Sequence, residues 1–359
     1  MHLAHLRLRD FRNYGRLDAD FAPGFHLLLG DNAQGKTNIL EAVYLVATLR
    51  SFRGVGSAQM VRHGQKGYFV GSRIVGLDQH ETKMYWSPRE RNLALDGRPV
   101  RKLTDYLGVL RTVVFCTEDL LLIKGPGRAR RRFLDLLLSQ THAAYLPLLQ
   151  RYTQALRSRN ALLKQPVLDP AALESFSREL VSAGDQIIRL RRELAPRFSP
   201  LARLAYGRVA HDAEELRLEY APAVRNDFAV ELAQSRARER SYRSTLIGPH
   251  RDEVQLLLNE RPAAQFGSEG QKRTLAIALK MAQAEYLTGL HGGPPVLLID
   301  DIMGELDAKR RQGFLPMLQQ AHQVHGQVFM TATEANWPEE LGHNFQRWVV
   351  KAGTLQASA

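Results

Sequence analysis

Leu3, Leu6 and Leu8 alternate with His5, Arg7 and Arg9 near the start of the chain, and after a turn at Gly15 the stretch RLDADF continues the pattern. Such alternation marks half-buried strands, so the sequence predicts a strand-turn-strand opening. The run FHLLLG is apolar throughout and ends in glycine, GDNAQGKT follows it, and NILEAVYLVATL sets Ile39, Leu40, Val43, Tyr44 and Ala47 at helical spacing. The predicted order is buried strand, glycine loop, helix.

From 67 to 115 the texture is of short strands: YFVGSRIV, ETKMYWS, NLALDGRPV with a hairpin signal at Asp96-Gly97, and TVVFC. They predict an antiparallel lobe. Residues 120–244 read as long helical stretches punctuated by prolines 166, 170, 196 and 200, with one strand candidate at 216–221. Sheet-forming runs then resume in EVQLLLN, PVLLID and VHGQVFMTAT. The pattern predicts an α/β protein whose discontinuous main domain, 1–119 and 245–359, is interrupted by a helical insertion at 120–244. Helices there are expected to reach about 30 residues, roughly 45 Å, too short for a coiled-coil arm.

The formal net charge is +12, which favours polyanionic partners, nucleic acid before membrane surface. The single cysteine, Cys116, excludes an internal disulfide framework. No run of about 18 apolar residues occurs and the N-terminal stretch lacks a signal-peptide core, so a cytoplasmic protein without a membrane role is expected.

Gly30-Asp31-Asn32-Ala33-Gln34-Gly35-Lys36-Thr37 fits the phosphate-loop pattern in its required place between strand and helix. Glycines turn backbone N–H groups inward around phosphate oxygens, the helix N-terminus with Asn38 adds positive potential, and Lys36 brings a compact charge. The Thr37 hydroxyl is a candidate for the Mg²⁺ shell. PVLLIDDI supplies the complement: Asp300 at a strand end for Mg²⁺, and Asp301 to orient or deprotonate water. ATP and Mg²⁺ are the expected cofactors, with Lys36 and Asp301 as catalytic candidates.

Ser268-Glu269-Gly270-Gln271 opens a helix 232 residues after Lys36 and 32 before Asp300. Two readings share that helix end: a capping box of Ser268 and Gln271, and a set of anion-directed groups. In order and spacing the chain resembles the ABC-type ATPases, whose signature stands here as GSEGQ. The resemblance implies that Ser268, Glu269, Gly270 and Gln271 meet, in trans, an ATP held by another copy. It also implies an ATP-dependent head-to-tail homodimer, monomeric without ATP. Glu305-Leu306-Asp307 corresponds to the segment crossing that interface; Thr331 or Thr333 stands where transporters carry a switch histidine, and Gln59 or Gln65 at the metal-directed glutamine.

Within that superfamily, LRDFRNY, EDLLLIKGPGRARRRFLD, GPHRDE and LLIDDIMGELDAKR resemble segments of the RecF family of bacterial recombination mediators. Gly304 departs from the serine usual there. The resemblance implies an ABC-type head, mixed sheet plus antiparallel lobe, with a helical insertion. It further implies a protein that clamps duplex DNA at single-strand gap junctions, hydrolyses ATP slowly in a DNA-dependent way, and helps load RecA with RecO and RecR. A nucleotide-gated scaffold, with ATP only a ligand, is the alternative.

Residues 121–164 hold nine basic side chains and one acid, a net +8. Arg128, Arg130, Arg131, Arg132, Arg157 and Arg159 are the DNA-contact candidates, for the phosphate backbone, while some within Arg130-Arg131-Arg132 are equally candidates to brace the lobe. His322 and His325 share a helix face without a carboxylate partner and read as structural. His250-Arg251-Asp252 reads equally as functional or as a salt-bridge corner.

Overall fold

The computed structural model describes residues 1–210, 214–324, 326–333 and 345–358. His325 and the side chains of His322 and Glu305 lie outside the described residues. The chain forms two compact units: Met1–Asp119 with Leu204–Ala213 and Thr274–Ala359, and Leu120–Arg203 with Glu214–Arg273.

The first unit is built on two six-stranded sheets. One is antiparallel, running Tyr14–Asp20, His2–Phe11, Tyr68–Val75, Gln79–Trp86, Arg91–Leu95 and Arg98–Pro99 in spatial order. Its opening hairpin turns at Arg12-Asn13, since Phe11 pairs with Tyr14. The turn expected at Gly15 is displaced because that glycine lies in a strand, where a Cβ would meet the Arg62 guanidinium at 2.7 Å. The Asp96-Gly97 hairpin forms as expected, both residues having positive φ.

The second sheet runs Thr354–Ser358, Gln346–Lys351, Gly24–Leu29, Gln327–Ala332, Val296–Asp300 and Thr112–Phe115, all parallel but for the first. TVVF, expected in the antiparallel lobe, pairs in parallel with Val296–Asp300. All four of its residues are buried, as two-sided cover by a parallel sheet demands. The last two strands were not anticipated; their signals were buried Trp348 and Val350 two apart and the Ala352-Gly353 turn. Helix Lys36–Thr48, apolar nearly all round, touches strands of both sheets and is buried accordingly.

The second unit holds helices Gly127–Thr141, Tyr145–Leu163, Phe228–Gln234 and Arg236–Tyr242, and most of Pro170–Val209. That last helix runs 40 residues through Pro196 and Pro200, longer than the proline pattern suggested. Two prolines four apart lie on one face, which confines the missing hydrogen bonds to one side. Leu216–Ala221 is a strand as expected, but its partner is Glu253–Leu258, paired over six residues. This pairing draws 245–273 into the second unit, away from the main domain to which the sequence reading assigned it. No helix among the described residues is long and apolar enough to cross a membrane.

Candidate nucleotide-binding site

Four chain segments leave the carboxyl ends of neighbouring parallel strands, where open α/β sheets place their ligands. Strand Gly24–Leu29 runs into the phosphate loop. Gly30 and Gly35 have φ of 150° and 116°, and helix Lys36–Thr48 begins directly after. A Cβ at Gly30 would lie 2.4 Å from the Val350 carbonyl, and one at Gly35 2.6 Å from the Asn13 amide, so neither position admits a side chain. Asn13 donates to the Gln34 carbonyl at 2.8 Å, and Tyr14 to that of Gly35 at 3.1 Å. From the C-terminal hairpin the N–H groups of Ala352 and Gly353 donate to Gln34. The loop is thus held from two sides by residues the sequence reading had not assigned to it.

Lys36 is buried and donates to the loop's own carbonyls at Gly30 and Asp31. Burial pulls its ammonium below the usual lysine range, while the carboxylates of Asp301, Asp300 and Asp31 hold it up. The Asp300 carboxylate accepts from Thr37 Oγ1 at 2.8 Å and from Thr331 Oγ1 at 3.0 Å. Burial raises its pKa, the two hydroxyls lower it, and Glu118 and Asp301 raise it further. Asp301, exposed and with φ of 55°, donates its N–H to Thr331. Thr331, not Thr333, therefore reaches the acidic strand end. Glu118 was missed; it follows strand Thr112–Phe115, which lies beside that of Asp300. Thr37 and Asp300 offer a hydroxyl and a carboxylate, oxygen donors of the kind Mg²⁺ takes beside nucleotide phosphates.

Residues 2–354 match the family described as RecF/RecN/SMC N terminal domain. A DNA replication and repair protein RecF of Symbiobacterium thermophilum is 38% identical over 99% of this chain and 98% of its own. The chain belongs to the RecF family. Another RecF, of Synechococcus, is 39% identical over 99% of this chain and 96% of its own. A solved structure described as the recombination mediator protein RecF-ATP in the RecFOR pathway superposes with a TM-score of 0.90. It is 27% identical and covers 100% of this chain and 98% of its own. The Smc head domain of Pyrococcus furiosus shares the fold at a TM-score of 0.57 and 15% identity, covering 99% of this chain and 96% of its own. The fold is that of the ABC-type ATPase heads.

In this RecF-family chain the phrase at 268–271 forms the capping box. Gln271 N–H donates to Ser268 Oγ at 3.2 Å, and Ser268 N–H to the Gln271 side chain. Accepting that bond leaves the serine its own O–H proton to donate elsewhere. Gln271 also donates to Glu214, and Glu269 pairs with Lys124. Asp307 takes a bond from the Arg310 N–H at 2.9 Å and pairs with its guanidinium, which also reaches Thr274 Oγ1 at 2.7 Å. Gln59, offered as a metal-directed residue, accepts from the Gly56 N–H instead. Arg53 was missed: its guanidinium reaches Asn38, in the first turn after the phosphate loop.

The DNA candidates separate by burial. Arg159 is 0% exposed and bound to Ser177, Thr245 and Glu239, so it is withdrawn as a DNA contact. Arg130 is largely buried, on Glu253 and two carbonyls, and Arg131 donates to the Asp252 carbonyl at 2.6 Å; both brace their unit. Arg128, Arg132 and Arg157 stay exposed. The His250-Arg251-Asp252 corner is structural: Asp252, buried, accepts from Arg191, Tyr220 and Ala223, and burial holds the His250 pKa near 4, neutral against Tyr152.

Proposed function

We propose that the chain is an ATP-binding, DNA-binding protein of replication and recombinational repair. The observation that carries this is the junction of Thr37 with Asp300 beneath the phosphate loop, two metal-directed oxygens brought from opposite ends of the sequence. Gly30 to Asn38 would cradle the phosphates, with Lys36 exchanging the Gly30 and Asp31 carbonyls for phosphate oxygens. Thr37 and Asp300 would hold Mg²⁺, which supplies charge neutralisation on the phosphates when bound. Asp301, exposed and fixed at its backbone by Thr331, would orient the attacking water. A threonine at the switch position cannot act as a base near neutral pH, which fits slow turnover.

The capped helix end at Ser268 would meet the phosphates of a second copy's ATP, so nucleotide binding and dimerisation would be one event. That dimer would clamp duplex DNA at gap junctions and, with RecO and RecR, help RecA load, as the family resemblance implies. Sizing in solution with and without ATP tests the reading, with Lys36→Met as control. An ATP-dependent dimer lost in the variant supports it, and a monomer at saturating ATP overturns it.

A further inference from the structure

The phosphate loop is gripped by a hairpin from the far end of the sequence. Lys351 pairs with Thr354, so Ala352 and Gly353 form a two-residue turn with φ of 48° and 74°, the geometry that joins twisted antiparallel strands. The Ala352 N–H donates to Gln34 Oε1 at 2.7 Å, and the Gly353 N–H to the Gln34 carbonyl at 3.1 Å. Asn13 donates to the same carbonyl at 2.8 Å, while its own Oδ1 accepts from Asn38 at 2.8 Å. The hairpin is anchored in its turn. Strand Gln346–Lys351 pairs with Gly24–Leu29, which leads into the loop, and Trp348 is buried with Nε1 on His26.

The two ends of the loop are therefore held in different ways. Gly30 and Asp31 are held by Lys36, whose ammonium a phosphate would draw off. The three bonds at Gln34 all end on its oxygens, whereas a phosphate takes N–H groups, so nucleotide and hairpin do not compete for the same atoms. A loop fixed at one end before its ligand arrives loses less freedom on binding, and the contacts that fix it add to affinity without touching the ligand.

We propose that Gln34 is the positioning residue through which the hairpin 346–358 presents the phosphate loop to nucleotide, and that nucleotide binding in turn tightens the hairpin. The inference rests on the ATP-binding reading above and adds a second element that responds to the ligand. Such coupling is reciprocal: the factor by which the docked hairpin raises ATP affinity is the factor by which ATP lowers the undocked population. The test is the affinity of the full chain for labelled ATP, well below the melting temperature, together with amide exchange over 346–358 with and without ATP. Gln34→Ala should weaken ATP binding about fivefold, the worth of one hydrogen bond. Saturating ATP should slow exchange at Ala352 and Gly353 by a similar factor in the parent but not in that variant. Gln34→Glu keeps an oxygen for the Ala352 N–H and should keep the parent's slow exchange without nucleotide. In Gly353→Ala the new Cβ would stand 2.5 Å from the Asn13 carbonyl oxygen at a φ of 74°, so both the affinity and the slow exchange should be lost. Parent-like ATP affinity in Gln34→Ala, exchange at 352–353 that ATP leaves unchanged, or a variant altered only in melting temperature overturns the proposal while ATP binding stands. A parent protein that does not bind ATP overturns both.

Discussion

Thr37 and Asp300 stand 263 residues apart in the chain, and their side chains share a hydrogen bond of 2.8 Å. Asp300→Asn keeps an oxygen to accept from Thr37 and Thr331 while removing the charge that a metal–phosphate complex needs. ATP hydrolysis should fall at least about a hundredfold. Stability at pH 7 should hold or rise, because burial raises the Asp300 pKa and the charged form is the one that costs. The native state then binds more protons than the unfolded chain above the ordinary carboxylate range, so the parent loses stability as pH rises there, and the variant does not. Phosphate release and thermal melts check both; hydrolysis within a factor of three of the parent would remove Asp300 from the site.

Arg159 tests burial against charge count. Arg159→Ala leaves Glu239 buried without its cation and should cost about 3–5 kcal/mol, whereas replacing Arg159 and Glu239 together by Met and Leu should cost far less. Chemical denaturation of both variants is the measurement. A single variant as stable as the parent would mean that the ion pair contributes nothing.

His26 predicts acid sensitivity of the first unit. Its Nδ1 accepts from Trp348 Nε1 at 3.1 Å, which leaves the proton on Nε2 to donate to the Ala22 carbonyl at 2.7 Å, so only the neutral ring fits. Burial accordingly lowers its pKa to about 4 from 6.5. The unfolded chain binds the extra proton first, so stability is full above about pH 6.5 and is lost as pH falls toward 4. The loss by pH 4 is roughly 3 kcal/mol at 1.36 kcal/mol per unit. His26→Phe, which can stack on Phe329 but cannot titrate, should flatten that part of the stability profile.

The strand, loop and helix around Lys36 were legible because phosphate binding restricts the backbone so tightly that glycine and lysine must stand where they do. Arg159 was legible too and was passed over. Leu148, Tyr152, Ala155, Arg159 and Leu163 form one buried stripe at spacings of three and four, which places the arginine inside. The partner of strand Leu216–Ala221 was not legible, since two strands 30-odd residues apart choose each other through the whole fold rather than through local pattern. The same holds for Thr331 over Thr333: alternation along a strand says that they share a face, and only the register against Asp300 says which hydroxyl arrives.

Ser268 separates cap from contact. Ser268→Ala removes the side-chain half of the capping box and should cost about 1 kcal/mol in stability. Ser268→Arg loses the same cap and also fills the space outside the helix end with a long cation. If the cap is the whole role, the two variants behave alike and both still dimerise on ATP. If the helix end receives a second copy's nucleotide, both bind labelled ATP as monomers with near-parent affinity. The alanine form then dimerises weakly, and the arginine form stays monomeric in light scattering at saturating ATP. An arginine variant that dimerises like the parent would leave Ser268 a cap alone.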